Sequence, residues 1–283
     1  MLGMLEWCLE KWIPKFKVIL IFLLKTVDQL HSVISNTFIF NIHADLNKFN
    51  VYWGYLMTKE EDYYKFKKSD YFVQFNGFCE RIGALIEEKY GEGFKNEVMP
   101  EIREEYESIY EEMPYIGGDE NNLTTDLVSA AENLAFYKVL KRHDKPLGEI
   151  GELAYNAQKK AFDEHPELVP PMTNPEVIPY IKYAAKVSGE KKFIGDWVYE
   201  FIDGNDEFDF GTDFTECGIQ KLYHKYGADE FTPYLCAMDI LMSECGNLGL
   251  HRTETLAEGG DRCNFRYKAG RETKIASTVI KTD

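Results

Sequence analysis

The feature that most constrains the fold is a change of hydrophobic period near Asp196. Upstream, Phe72, Phe75, Cys79, Ile82, Leu85 and Ile86 keep three-and-four spacing, the period of a helix face. Downstream, Phe208, Phe210, Thr212 and Phe214 alternate against Asp209, Gly211 and Asp213, the period of a strand. The spacing predicts helices over 58–90, 94–112, 124–142 and 146–165. Thr58 and Glu61 form a capping-box start, Pro100 is a kink or break, and Thr124 or Thr125 caps the third helix. Four prolines in 166–175 make an extended connector before a short helix at 176–187. A hairpin follows from 197–202 and 207–214 around Asp203-Gly204-Asn205-Asp206. Helices over 217–226 and 228–245 and strands over 248–257 and 262–268 complete the order. The expected fold class is α+β: an N-terminal helical half packed on an antiparallel sheet built from two β-hairpins with two intervening helices.

Charge divides the chain at another point. Residues 1–56 hold five lysines and no arginine against Glu6, Glu10, Asp28 and Asp45, a net of +1, which leaves −17 of the total −16 to residues 57–283. Trp7, Trp12 and Trp53 also fall in this first segment. It reads as an N-terminal extension outside the native domain, with 57–270 as the α+β domain and 271–283 as a frayed tail. The apolar run Val18–Leu24 is too short to span a bilayer, and no small-residue cleavage site follows it. The cysteines show no CxxC pair and no disulfide-framework spacing, which suits reduced thiols in the cytoplasm. A strongly acidic balance opposes binding to nucleic acid or to an anionic membrane. The expected partner is a small-molecule substrate, with a homo-oligomer left open.

Candidate chemistry lies between Asp213 and Arg266. Cys217 enters a helix, where the positive end of the dipole favours a thiolate, while Asp213 and Glu216 favour the thiol. Cys236, Asp239 and Ser243 share a helix face among apolar neighbours, so Asp239 needs a partner, supplied by Arg252 or Arg266. Arg252 suits bidentate capture of a substrate carboxylate, or an ion pair with Asp239. On the strand containing it, Leu250, Arg252 and Glu254 face one way; His251, a possible acid/base, and Thr253 face the other. Cys263, Phe265 and Tyr267 alternate with Asn264 and Arg266. No cofactor is expected; the disfavoured alternative is a metal held by Cys217, Cys236 and Cys263 with His251 or water.

These residues carry a family pattern. The string Gly211-Thr-Asp-Phe-Thr-Glu-Cys217-Gly218, then Tyr234-Leu-Cys236 with Asp239, then Gly249-Leu-x-Arg252-Thr-x-Thr255 and Gly259-Gly-x-x-Cys263-x-Phe-Arg-Tyr-Lys268, resembles the L-2-amino-thiazoline-4-carboxylic acid hydrolase family. Met113–Gly118 and Asp196–Phe201 resemble it as well, so the likeness covers about 57–270. It implies hydrolytic opening of a C–N bond in a small carboxylated cyclic amidine, giving a carbamoyl-cysteine. Cys217, Cys236 and Asp239 are the catalytic candidates, and Arg252, Thr253, Asp213, Cys263 and His251 the substrate-binding ones. In this scheme a thiolate of Cys217 or Cys236 adds to the ring carbon and Asp239 protonates the departing ring nitrogen; water activated by a carboxylate is the non-covalent version. The C-terminal half also resembles vinyl-reductase-type domains, which implies, as the alternative, a non-catalytic small-molecule sensor.

Overall fold

The computed structural model describes residues 62–169 and 171–279; the readings on 1–56 and on the Thr58–Glu61 helix start lie outside them. Helix α1 (Tyr63–Tyr90) buries Phe75, Phe78, Cys79, Ile82, Leu85 and Ile86, the face its spacing predicts. Helix α2 (Glu92–Glu111) runs through Pro100, so the expected break does not occur. Proline costs this helix the hydrogen bond to the Asn96 carbonyl, but Val98, Ile102, Tyr106 and Ile109 are fully buried around it and hold it continuous. Helix α3 (Leu123–Arg142) is the central element, with Leu127, Val128, Leu134, Phe136, Val139 and Leu140 buried on several sides. Ala130, Ala131 and Ala135 keep its girth small enough for neighbours to pack closely. Its start differs from the expected threonine cap: Asn121 Oδ1 accepts the Leu123 N–H at 3.0 Å, and Thr124 Oγ1 donates instead to the Gly118 carbonyl at 2.9 Å. Helix α4 (Leu147–Glu164) begins after Pro146 as expected. The proline-rich connector contains two short 3-10 turns, and helix α5 (Ile178–Ser188) follows it.

One buried charge in the helical half has a measurable consequence. Glu132 on α3 is 4% exposed and accepts from Gln74 Nε2 at 3.0 Å. Burial pushes its carboxyl up to about 8, against an ordinary 4.5, while the Gln74 bond and Arg81 pull it back. A pKa raised on folding means that the native state holds the proton more tightly. The stabilising contribution is therefore complete below about pH 4.5 and is lost as pH rises through about 8. Glu132→Gln keeps the acceptor and removes the titration. Thermal melts of this variant should match wild type at pH 5 and lie about 2–4 °C above it at pH 9; equal melts at both pH values would remove Glu132 as the source.

After Asp196 the chain forms a five-stranded sheet in the order β1-β2-β4-β3-β5. Strands β1 (Val198–Asp203) and β2 (Phe210–Glu216) make the expected hairpin, with Phe201 opposite Thr212 and Tyr199 opposite Phe214. Strand β4 (Cys263–Tyr267) pairs antiparallel with β2, setting Phe210 against Tyr267, Thr212 against Phe265 and Phe214 against Cys263. The second hairpin is shorter than predicted. Strand β3 is only His251–Arg252, because a 3-10 turn at Leu256–Glu258, capped by Thr255 Oγ1 on the Glu258 N–H, bends the chain away. Residues expected to fray supply a fifth strand, β5 (Lys274–Ile275), which runs parallel to β3 and makes the sheet mixed rather than antiparallel. Between β2 and β3 lie three helices: α6 (Gly218–Lys225), α7 (Thr232–Ala237) and α8 (Asp239–Cys245). The predicted helix over 228–245 is thus two helices broken at Met238. No helix among the described residues is long and apolar enough to cross a membrane.

Candidate active site

Strand parity sorts the predicted site residues. Direct partners in an antiparallel pair share a face, so Phe214, Cys263, Phe265 and Tyr267 look one way and Asp213, Asn264 and Arg266 the other. His251 sits opposite Arg266 and takes the second face; Arg252, next in sequence, takes the first and lies over the Phe265 ring at 5.3 Å. The first face holds the thiols and the buried guanidinium. The second holds an ion-pair network built on the buried Asp213.

Asp213, His251 and Thr253 therefore stand apart from the thiols. Asp213 binds Arg266 Nη1 at 2.6 Å and Arg262 Nη1 at 3.2 Å, which uses both carboxylate oxygens. Thr253 is exposed and exchanges bonds with the Asn264 side chain, its Oγ1 accepting from Nδ2 at 2.7 Å. Burial lowers the His251 pKa, and the Arg271 and Lys274 charges lower it further. Ser243 leaves the expected Cys236–Asp239 face as well. Its hydroxyl meets Thr273 Oγ1 at 2.7 Å and accepts the Leu250 N–H at 3.0 Å, tying α8 to the β3 and β5 segments.

Cys217 is the extended residue between β2 and α6. The first N–H groups of a helix have no intrahelical acceptor. Here those of Ile219 and Gln220, together with the Trp197 indole N–H, pull the Cys217 thiol pKa down. All three favour the thiolate, yet burial outweighs them and the thiol stays above its ordinary value; the Asp239 charge adds to the rise. Glu216 does not act as expected on the sulfur. Lys191 and Lys221 hold it at 2.6 Å each and lower its own pKa.

Trp197 reaches this position because Gly218 has no side chain. A Cβ at Gly218 would stand 2.7 Å from the indole ring and 2.8 Å from the Gly195 carbonyl. Gly218→Ala should therefore displace the indole and shift the Trp197 fluorescence; an unshifted spectrum would mean that the indole does not pack against Gly218.

The break at Met238 separates Cys236, on α7, from Asp239, which opens α8. Arg252 bridges the two helices. Its Nη1 pairs with Asp239 Oδ2, and its Nη2 donates to the Cys236 carbonyl at 3.0 Å. Both fork ends are occupied, so the expected bidentate grip on a substrate carboxylate gives way to the Asp239 ion pair; the buried Nε–H has no partner among the described residues. Burial raises Asp239 above its ordinary pKa and the Arg252 charge opposes the rise. The Arg252 side chain is 1% exposed and that of Asp239 27%, so the carboxylate borders open space and the guanidinium backs it from the protein side.

Cys236 feels Cys217, Asp239 and Cys263, and with burial they push its thiol well up. Cys263 is raised to about 11, mainly by burial. Tyr223 couples to Cys236 and Cys217, and its hydroxyl donates to the Ala130 carbonyl at 2.9 Å, which ties α6 to α3 beside the site. Among the described residues no three His, Cys, Asp or Glu side chains are placed to hold a metal ion, so the three cysteines are neighbours without forming a ligand set.

One member lies outside every sequence reading. Asp126, in the first turn of α3, has Asp239 as its charged neighbour. It is an exposed residue, and the Asp239 charge pushes its carboxyl up. Asp is commonplace in a first helical turn, so nothing in the sequence marks this one.

Three thiols, the Asp239 carboxylate and a sealed arginine thus gather against one sheet face, a set of groups suited to nucleophilic and acid–base chemistry on a small molecule. Residues 127–267 match the sequence profile of the L-2-amino-thiazoline-4-carboxylic acid hydrolase family, and this segment belongs to that family. No curated protein and no solved structure matches the chain.

Proposed function

We propose that the protein hydrolyses the ring of 2-aminothiazoline-4-carboxylate, or a closely related small cyclic amidine, with Cys217 as the nucleophile. The observation that carries this reading is the place of Cys217 as the extended residue that opens α6, with the Trp197 indole packed against Gly218 beside it; the Ile219, Gln220 and Trp197 N–H groups favour its thiolate. These groups stabilise negative charge on sulfur when the thiol proton leaves. Asp239 takes that proton as the sulfur bonds to the amidine carbon, and passes it to the ring nitrogen, which receives the C=N electron pair. The ring C–N bond then breaks as the nitrogen takes a further proton from the exocyclic amino group. Water adds to the resulting thioimidate, and collapse of that adduct returns the Cys217 thiol and leaves the carbamoyl group on the product sulfur. Arg252 is a positioning residue in this scheme: it fixes the Asp239 carboxylate and touches no reacting atom.

Incubation with the thiazoline carboxylate tests the reading, followed by amine and thiol analysis of the product. A carbamoyl-cysteine with a free amine and no free thiol supports C–N cleavage. A free thiol would move the break to the ring C–S bond, and an intact ring would remove the reading altogether.

A further inference from the structure

We propose that Asn121 is a positioning residue for Cys217, because it holds the segment that sets the Trp197 indole on the start of α6. Its effect on turnover rests on the hydrolase reading above. Two strings that resemble the family, 113–118 and 196–201, lie outside the cluster of thiols. The structure joins them at one side-chain amide. Asn121 Nδ2 donates to the Ile116 carbonyl at 2.7 Å and to both Asp196 carboxylate oxygens at 3.0 Å. Its Oδ1 accepts the Leu123 N–H at 3.0 Å. One side chain thus ties together the 113–118 turn, the start of α3 and the residue before Trp197. Only an amide supplies both the donors and the acceptor that this junction uses.

The path from Asn121 to the thiol is short and tightly packed. Asp196 Oδ1 accepts the Trp197 N–H at 2.8 Å, and the Asp196 backbone carbonyl accepts Lys221 Nζ from α6 at 2.7 Å. A Cβ at Gly195 would stand 2.6 Å from the Pro114 ring, and one at Gly218 would stand 2.8 Å from the Gly195 carbonyl and 2.7 Å from the indole. Pro114, Gly195, Gly218 and the indole are therefore in successive contact, and none can shift alone. Trp197 is buried, and Gly218 is the residue after Cys217. The place of the indole thereby sets the surroundings of the sulfur, and its N–H is one of the groups that favour the thiolate. Asn121 touches no reacting atom and acts through Asp196 and Trp197.

The test is fluorine NMR of the full chain labelled with 5-fluorotryptophan at pH 8, with the Trp197 signal assigned by Trp197→Phe, together with kcat and KM on the thiazoline carboxylate. Asn121→Asp keeps the oxygen that accepts the Leu123 N–H but sets a second carboxylate against Asp196. A residue needed only to cap α3 would tolerate this change. The assignment instead predicts a displaced Trp197 signal and a kcat lowered about 10-fold or more, with KM within a few-fold. Adding Asp196→Asn restores a donor facing an acceptor, and should move both the signal and kcat back toward wild type. An unmoved Trp197 signal in Asn121→Asp would overturn the assignment, and so would a displaced signal with wild-type kcat. An inactive wild type would overturn the hydrolase reading, while the signal and its return in the double variant would still decide whether Asn121 places the indole. If Asn121→Asp does not fold, Asn121→Ser, which keeps a capping oxygen and loses the amide donors, decides on the same signal and the same kcat.

Discussion

Cys217→Ala is expected to lower kcat/KM for ring opening by about 1000-fold or more, the scale on which loss of a nucleophile is felt. The prediction follows from what surrounds the sulfur. The N–H groups of Ile219 and Gln220 at the start of α6 and the indole N–H of Trp197 just before β1 each favour the thiolate. Removing Sγ leaves them without an acceptor but does not disturb the Asp239–Arg252 pair. Stability should therefore change far less than activity. Cys236→Ala is the control, because Arg252 uses its backbone carbonyl, which alanine retains. It should cost much less turnover. Equal losses in the two variants would mean that the thiols act through packing.

The second large effect concerns stability. Asp239→Ala should cost about 3–5 kcal/mol, since it strands a charged guanidinium in the interior. Arg252 is 2% exposed, and among the described residues it also meets the Cys236 carbonyl, the face of Phe265 and the more distant Glu258 charge. Asp239→Asn keeps a polar partner and should cost less. Urea unfolding of both variants checks the ordering. A loss below about 1 kcal/mol in Asp239→Ala would mean that solvent reaches the arginine, which would place Asp239 on an open surface rather than beside a recess.

Much of this arrangement is legible from alternation alone. The period change near Asp196 separates helices from sheet, and the Phe208–Phe214 alternation already assigns Asp213 to the face away from the aromatics. The same parity splits His251 from Arg252. Both separations appear in the structure, where Asp213 meets Arg266 and Arg252 meets Asp239. What the sequence hides is set by tertiary contacts. The break at Met238 lies in a stretch of apolar residues with no glycine or proline at the break, so local propensity continues the helix while packing against Arg252 interrupts it. β5 forms because the Leu250 and Arg252 carbonyls accept the Lys274 and Ala276 N–H groups at 2.8 and 2.9 Å, a pairing with no local signature. Asp126 lies more than a hundred residues from Asp239 in sequence, on a helix whose own pattern explains it as an ordinary first-turn acid. The opposed effects on Cys217 are visible in sequence only in part. The helix start suggests a lowered pKa, whereas burial, which local sequence does not report, raises it.

The covalent role of Cys217 is the central claim. Intact-protein mass spectrometry after rapid mixing of the full chain with excess thiazoline carboxylate tests it most directly, with peptide mapping of any modified species. The account predicts a transient species heavier by one substrate, mapped to the peptide containing Cys217 and missing from Cys217→Ala. Turnover at the wild-type rate by Cys217→Ala, with no modified species at any time, would contradict it.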